Sequence, residues 1–456
     1  MKLVYNVKDK PGFGKTLVFA LQQLLAIMAA TIAVPMIISG SYDSVGDVSM
    51  STAAALFGAG VGTLVYLLFT KFRSPVFLGS SFAFLGSMSA AFAGAASMQA
   101  GYLGLIIGAV LAGLVYVVIA LVVKIAGVGW IDKLMPAVVI GPTVAIIGLS
   151  LSGNAVGDLV KGSVLNAEGV PVANTYIALL CGLVTLAVTM LCSTYGKKMI
   201  KMIPFIIGIV AGYAVAAIFT VIGKAAGVEA LQVINFSAFE NMQWLPDFTF
   251  LEAFKGVKDI SGGYIATLAV AYVPVAFVVF AEHIADHKNI SSIIEKDLLK
   301  EPGLHRTLLG DGVGSMMGAF FGGCPNTTYG ESVGCVAISG NASVVTILTT
   351  AILAIVIAFV APFIAFLSTI PSCVMGGVCI ALYGFIAVSG LKMIQNVDLG
   401  DNRNLFVVSV ILIAGVGGLT LNFGKVTLTQ VACALILGIL TNLILKKRDG
   451  KKSSDK

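Results

Sequence analysis

The residues best suited to chemistry in this sequence of 456 residues are four carboxylates inside apolar segments. Most of the 22 acidic residues fall in polar connecting segments or near the chain ends, but Glu282, Asp286, Asp311 and Glu331 do not. A carboxylate at bilayer depth costs roughly 2.5–3.5 kcal/mol on insertion scales, so each is a functional candidate. The polar chemistry is therefore concentrated between residues 282 and 331.

Glu282 and Asp286 are four residues apart and lie on one face of a helix, where they can share a proton or a partner. A carboxyl group buried at this depth can load a proton on one side of a membrane and release it on the other. We expect Glu282 to load and release a proton in this way. The alternative is that Glu282 is simply buried in its neutral form or paired with a nearby polar group. Asp286 is closer to the predicted membrane edge.

A ligand of Glu282 and Glu331 must donate hydrogen bonds, because ionised carboxylates only accept them. Backbone N–H groups at interrupted helices donate them. A neutral ring with both N–H and C=O groups satisfies both sets, and Phe82, Tyr329 and Tyr383 offer aromatic surface for it. An inorganic anion such as bicarbonate or sulfate would meet the negative charges of both carboxylates, which argues against such a substrate. A cation carrier is the alternative that this chemistry leaves open.

Two of the three histidines, His283 and His287, have the helical spacing of a metal site, and His305 follows in the same region. Catalytic zinc needs a third protein ligand and an open position, and His287 adjoins the predicted membrane edge. We therefore expect interfacial or hydrogen-bonded histidines without a metal or cofactor. An intramembrane metal hydrolase is the competing enzyme class. No P-loop, nucleophile elbow or dinucleotide fingerprint occurs in a suitable context.

The composition indicates which elements position these groups. Hydrophobic residues make up 58% and charged residues 11% of the chain, against about 45–50% and about 25% in soluble proteins. Apolar runs of about 20 residues cross a bilayer, and the runs here are continuous rather than alternating. The sequence predicts an all-α polytopic membrane protein. It excludes a disordered chain, a secreted disulfide scaffold, an ordinary cytosolic enzyme and an outer-membrane barrel.

Apolar windows predict fourteen transmembrane spans, and the first is too long for a cleaved signal peptide. The spans are 16–39, 51–70, 76–97, 101–123, 134–152, 173–193, 202–222, 262–285, 306–322, 327–340, 343–366, 371–390, 404–418 and 427–445.

The basic residues predict the orientation of these spans. With both termini in the cytoplasm, 23 of the 28 lysines and arginines fall on cytoplasmic segments, which is the positive-inside pattern. The net charge of +6 is thus an orientation signal, and no nucleic-acid partner is needed to explain it.

Two spans are poor helices because they mix glycine, hydroxyl and aromatic residues. Span three begins LGSSFAF at Leu78 and span ten begins PNTTYGESVG at Pro325, about 247 residues later. Non-helical backbone at membrane depth survives only where it lines a cavity or is buried in protein. Seven spans per half is an odd number, so a repeat would be inverted, with a transport site at its interface. Two glycine-rich packing helices are the alternative.

Several stretches carry a family resemblance. Residues 281–284 (AEHI), 296–306 (KDLLKEPGLHR) and 325–331 (PNTTYGE) resemble the nucleobase–ascorbate (nucleobase–cation symporter-2) transporters, most closely the bacterial uracil:proton symporters. Residues 24–35, 79–84 and 371–384 are similar as well, so the resemblance covers nearly the whole chain.

The resemblance implies two inverted seven-span repeats with short extended segments in spans three and ten. It implies a core domain at 1–124 and 226–366 and a gate domain at 125–225 and 367–445. The basic residues after Leu445 predict a cytoplasmic tail at 446–456. Substrate would bind in the core, near the gate, and a homodimer through the gate domain is an expected partner arrangement.

The resemblance also implies the site residues. The uracil-contacting carboxylates of the family fall on Glu282 and Glu331, and its backbone-amide contacts on Phe82 and Gly330. Its remaining pocket-lining positions fall on Ala30, Tyr329 and Tyr383. Expected proton-coupling groups are Glu282, Asp286 and Asp311.

Three positions depart from the uracil carriers. The uracil carriers tend to have histidine where this chain has Asp286. They tend to have Gln-His where it has Gln22-Gln23, and asparagine where it has Asp311. Aspartate at 311 is more similar to the xanthine and urate carriers, but those tend to have glutamine at Glu331. We therefore expect proton-coupled uracil uptake by alternating access across the bacterial cytoplasmic membrane, with a xanthine or urate permease as the second hypothesis.

Overall fold

The fold is helical, with short strands at a few breaks. The computed structural model describes residues 3–127, 130, 136–166, 169–197, 199–240, 242–423 and 426–445. The predicted basic tail at 446–456 lies outside the described residues.

Nine helices and three strands belong to the first half of the chain. They are α1 (Phe13–Ile38), β1 (Gly40–Tyr42), β2 (Gly46–Val48), α2 (Thr52–Phe69), β3 (Leu78–Ser80), α3 (Leu85–Ala93), α4 (Met98–Ala126), α5 (Ala137–Ser150), α6 (Ser152–Asp158), α7 (Thr175–Tyr195), α8 (Met199–Met202) and α9 (Pro204–Ala226) among the described residues.

The second half has the same mixture of long and short elements. They are α10 (Thr249–Ala253), α11 (Gly262–Ile294), α12 (Leu304–Gly322), β4 (Asn326–Thr328), α13 (Gly330–Ser339), α14 (Val344–Ile357), α15 (Ala361–Ser368), α16 (Ser372–Met393), α17 (Asn402–Val416), β5 (Leu421–Phe423), β6 (Val426–Leu428) and α18 (Gln430–Ile444).

In the described part of the chain, eight helical stretches are long and apolar enough to cross a membrane: α1, α2, α4, α5 with α6, α7, α9, α11 and α16. A ninth is α14 with α15 if this pair, bent by 83°, is one span. The polytopic class is confirmed, and the count of fourteen stays a prediction. Helix α11 runs to Ile294, past the predicted span end at 285, and Ile290 and Ile294 in its last turns are buried.

The helices pack in two groups. The first group consists of α1, α2, α3, α4, α11, α12 and α14. In it α12 packs against α2 and α4, α11 against α3 and α4, and α14 against α1 and α2. In the second group, α16 packs against α5, α6 and α7, α9 packs against α7, and α17 and α18 pack against each other and α5. Contacts between the two groups are fewer than those within them, and they include contacts of α1 with α9 and of α11 with α18.

Close backbone approach explains part of the glycine content. A Cβ atom on Gly58 of α2 would lie 2.7 Å from the carbonyl oxygen of Gly318 on α12, closer than non-bonded atoms approach. Small residues at such positions let membrane helices pack backbone to backbone. The Asn326 side chain donates to the Gly58 carbonyl at 3.0 Å and so ties β4 to the same interface.

The N-terminal segment is held against the other end of α13. Val4 donates its N–H to the Gly340 carbonyl at 2.8 Å, and Ala342 and Val344 donate to the carbonyls of Tyr5 and Val7 at 2.9 and 3.1 Å. These bonds fix the loop between α13 and α14.

Candidate functional site

Two interrupted spans meet at the centre of the first helix group. Strands β3 and β4 pair antiparallel, with Leu78 opposite Thr328 and Ser80 opposite Asn326. All six residues of the two strands are buried. The short extended segments predicted for spans three and ten are therefore confirmed, and they form one two-stranded sheet.

Each strand leads into a helical turn whose N-terminus has no side-chain cap. A 3₁₀ turn, Phe82–Phe84, follows β3, and α13 follows β4. By contrast, Ser51, Ser97 and Ser261 cap α2, α4 and α11 with their side chains. The first N–H groups of a helix have no partner inside the helix. Those at Phe82 and Gly330 are thus available to a ligand.

A cavity of about 400 Å³ lies at these two N-termini. Its wall includes six of the predicted site residues: Phe82, Glu282, Asp286, Tyr329, Gly330 and Glu331. The wall also includes Val144, Phe205, Phe385 and Ser389 of the second helix group and Lys201 of α8. The volume is within the range of small-molecule sites, about 300–1,000 Å³.

Glu282 and Glu331 are half-buried and face this cavity from α11 and from the first turn of α13. Within the described chain no side chain donates a hydrogen bond to the Glu282 carboxylate, whose neighbours are other carboxylates. Ionised carboxylates offer acceptors only. Together with the free amides at Phe82 and Gly330, the cavity therefore presents acceptors and donors to one ligand.

Asp286, unlike Glu282, accepts a hydrogen bond from a side chain. Its side chain is 7% exposed, and its Oδ2 accepts a hydrogen bond from the Thr328 hydroxyl at 2.9 Å. A Cβ atom on Gly330 would lie 3.7 Å from its Oδ1. Asp286 thus ties α11 to β4 and lies close to the first residue of α13.

The aromatic residues differ in their exposure to the cavity. The Phe82 ring meets the Tyr383 ring edge-on, with centroids 5.6 Å apart. Tyr383 and Ala30 are buried and lie outside the wall of the cavity as described. The Tyr329 hydroxyl donates to the Ser80 carbonyl at 2.7 Å, so this ring fixes β3 as well as lining the cavity.

The departure at Gln22-Gln23 has a structural counterpart. The Gln23 amide donates to the Ser332 hydroxyl at 2.5 Å, and Ser332 Oγ also accepts from the Phe77 N–H at 3.1 Å. Gln23 therefore holds the first turn of α13, next to Glu331, against α1 and the residue before β3.

Asp311 and two histidines form a separate buried cluster. His283 Nδ1 lies 2.7 Å from Asp311 Oδ2, and the His283 and His287 rings stack with centroids 3.9 Å apart. Both histidines and Asp311 are fully buried. His287 is thus enclosed by protein. In the part of the chain described, no three histidine, cysteine or acidic side chains are placed to hold a metal ion.

The sequence pattern of the Permease family matches residues 14–423. The chain belongs to the Permease family. Family membership makes it a multi-pass membrane transporter and not an enzyme.

Three curated relatives in this family align over nearly their whole length. They are uracil permeases of Bacillus caldolyticus (39% identity, 98% of this chain and 96% of the relative), Bacillus subtilis strain 168 (37%, 97% and 95%) and Escherichia coli strain K12 (35%, 97% and 94%).

Solved structures share the fold of this permease. The transmembrane domain of the cyanobacterium bicarbonate transporter BicA aligns with a TM-score of 0.58 at 14% identity, over 96% of this chain and all of that one. The murine anion transporter Slc26a9 in an inward-facing state aligns with a TM-score of 0.60 at 13% identity, over 96% of this chain and 69% of that one.

Sequence reasoning missed two residues of this site. Thr328, the partner of Asp286, lies within the span-ten motif, but only the strand pairing shows which way its hydroxyl points. Lys201 is one of the 23 basic residues on the predicted cytoplasmic segments, and it also lines the cavity. A lysine between two apolar runs gives no sequence signal for that position.

Tyr329→Phe should destabilise the permease. The substitution leaves the Ser80 carbonyl without its donor, and an unmade buried hydrogen bond costs about 1–3 kcal/mol. We expect a lower thermal unfolding midpoint in detergent. Tyr176→Phe is the control, since Tyr176 is 78% exposed. Equal midpoints for the two variants would show that the Tyr329–Ser80 bond contributes nothing.

Thr328→Val should slow substrate uptake by about tenfold. Valine keeps the shape of threonine but cannot donate to Asp286, and a hydrogen bond to an acidic group contributes about 1.5–3 kcal/mol. Uptake into liposomes measures the effect. Thr349→Val is the control, because its hydroxyl bonds only the Val345 carbonyl of its own helix. Unchanged uptake by Thr328→Val would remove Thr328 from the site.

Proposed function

We propose that this permease carries uracil inward across the bacterial cytoplasmic membrane together with protons. The observation that carries the proposal is the cavity in which Glu282 and Glu331 face two uncapped helical N-termini. The uracil permeases that align over nearly the whole chain support this substrate.

The hydrogen-bonding groups of uracil match those of the cavity. The ring has two N–H donors and two carbonyl acceptors. In the proposed complex Glu282 accepts from one ring N–H and Glu331 from the other, while the amides of Phe82 and Gly330 donate to the carbonyls. Phe82 and Tyr329 provide aromatic surface for the ring. An inorganic anion would face the carboxylates of Glu282, Asp286 and Glu331, which disfavours it despite the shared fold.

Proton coupling would drive accumulation. One proton that crosses 100 mV provides about 2.3 kcal/mol, which supports roughly 50-fold accumulation. Glu282 or Asp286 exchanges the proton in this proposal, because both line the cavity. Asp311, which is also an expected proton-coupling group, lies outside the cavity wall as described.

We further propose fourteen spans in two inverted repeats, with a core domain (1–124 and 226–366) that moves against a gate domain (125–225 and 367–445). The two helix groups and the cavity between them support this division. With both termini cytoplasmic, Lys201 and Asn289 fall at the cytoplasmic side, so the cavity would open inward. A homodimer through the gate is consistent with α7 and α9, whose apolar windows are 28% and 33% buried.

A binding screen tests the substrate. The purified permease is heated with uracil, xanthine, urate, hypoxanthine or ascorbate, and pH-gradient-driven uptake of labelled uracil is measured in liposomes. We expect uracil to raise the unfolding midpoint most and to accumulate. Stabilisation by xanthine or urate alone would make the protein a purine permease. Uptake that requires metal ions, with metal in the purified protein, would make it a cation carrier.

A further inference from the structure

Helix α11 carries a second polar stripe that the transport chemistry does not use. His283 and His287 follow Glu282 and Asp286 by one residue each, so they lie on a neighbouring face of the helix. Both are fully buried. Their side-chain partners are Thr307 and Asp311 of α12 and Tyr66 of α2, none of which lines the cavity.

The hydrogens around His283 can be counted. The single hydrogen of the Thr307 hydroxyl is donated to the Leu304 carbonyl at 3.0 Å, because a carbonyl oxygen can only accept. Thr307 Oγ1 also lies 3.0 Å from His283 Nε2. Both contacts are satisfied only if His283 Nε2 carries a hydrogen and donates it to Thr307.

One proton therefore joins His283 to Asp311. With Nε2 protonated, the 2.7 Å contact between His283 Nδ1 and Asp311 Oδ2 holds a single hydrogen. If this hydrogen is on Nδ1, His283 is a cation paired with an ionised Asp311. If it is on Oδ2, both side chains are neutral. The pair has no net charge in either arrangement, which suits a fully buried position.

His287 is fixed by a similar argument. Its Nδ1 lies 2.7 Å from the His283 carbonyl oxygen, so Nδ1 carries the hydrogen. Its Nε2 lies 2.7 Å from the Tyr66 hydroxyl of α2, which also bonds Ser74 at 2.7 Å. Because a backbone carbonyl separates the two histidines, the stripe is not a continuous path for a proton.

We propose that His283 and Asp311 are a positioning pair that fixes the rotation of α11 without exchanging the transported proton. A side-chain tip lies about 6 Å from a helix axis, so a rotation of about 10° would move the Glu282 carboxylate by about 1 Å. A displacement of this size can cost on the order of 100-fold in a positioned site. The inference rests on the proposed function, because Glu282 is the group being positioned.

Two substitutions of Asp311 separate positioning from proton exchange. In Asp311→Asn the amide still donates to His283 Nδ1 but cannot release a proton, whereas Asp311→Ala removes the bond. We expect Asp311→Asn to bind uracil within about threefold of wild type and to keep its proton-to-uracil ratio. Asp311→Ala should weaken binding by about 10- to 100-fold. Binding is measured by titration in detergent, and the ratio in liposomes with a pH indicator.

A third variant keeps the test decisive if Asp311→Ala fails to fold. Thr307→Val preserves shape and removes the acceptor of His283 Nε2, so it should weaken uracil binding several-fold with an unchanged proton ratio. The inference is overturned if Asp311→Asn exchanges uracil but no longer responds to a pH gradient, or if Asp311→Ala and Thr307→Val bind like wild type. If the wild-type protein does not bind uracil, the proposed function fails, and the variants are measured with the nucleobase that the screen identifies.

Discussion

Glu282→Gln is expected to abolish pH-gradient-driven uracil accumulation and to weaken uracil binding by about 10- to 150-fold. The carboxylate is a charged acceptor that faces the cavity, and a hydrogen bond to a charged group contributes about 1.5–3 kcal/mol. Glutamine keeps one acceptor oxygen, but that oxygen is uncharged and the second acceptor is replaced by an NH₂ donor. It also cannot take up or release a proton, so coupling is lost together with affinity where Glu282, rather than Asp286, is the group that exchanges the proton.

Uptake by the purified variant in liposomes, with and without a pH gradient, measures both effects. The control is Glu240→Gln, the same chemical change at an exposed position outside the cavity, which should transport like wild type. If Glu282→Gln accumulates uracil at the wild-type rate, Glu282 is neither the ring ligand nor the proton carrier, and the proposed mechanism is wrong.

Gly79→Ala is expected to be the most damaging single-methyl change in the interrupted spans. A Cβ atom on Gly79 would lie 2.4 Å from the ring carbons of Tyr329. The ring cannot move aside without losing its hydrogen bond to the Ser80 carbonyl. Overpacking of this kind costs about 1–3 kcal/mol, and the lost bond adds to it. Strand β3 would shift away from β4, and the amide at Phe82 would shift with it.

The unfolding midpoint and uracil affinity of Gly79→Ala should both fall. Gly86→Ala is the matched control, because it adds the same methyl group seven residues later, where the nearest atom is 3.9 Å away on Thr429. Wild-type stability and uptake in Gly79→Ala would mean that the Tyr329 ring is free to move and that β3 is not held as described.

The sequence predicted the cavity residues that stand out chemically. Glu282 and Glu331 are rare carboxylates in apolar surroundings, and glycine with hydroxyl residues at Gly79 and Gly330 indicated broken helices. Both carboxylates and both breaks lie at one cavity. These features depend on residue type and spacing, which a sequence contains.

The hydrogen-bond partners could not be predicted, because they depend on side-chain direction across distant segments. Thr328 meets Asp286, and Tyr66 meets His287, only after β4 and α2 are packed against α11. The position of Ala30 relative to the cavity depends likewise on the rotation of α1.

The pairing of β3 with β4 has a consequence for biosynthesis. The partner of Leu78–Ser80 is translated about 250 residues later, which at roughly 5–20 residues per second takes on the order of 12–50 s. During that interval the backbone groups of β3 have no strand to bond, and unpaired groups are costly in lipid. Span three is therefore expected to enter the bilayer late, after α12 and β4 leave the ribosome, with the insertion machinery sheltering it until then.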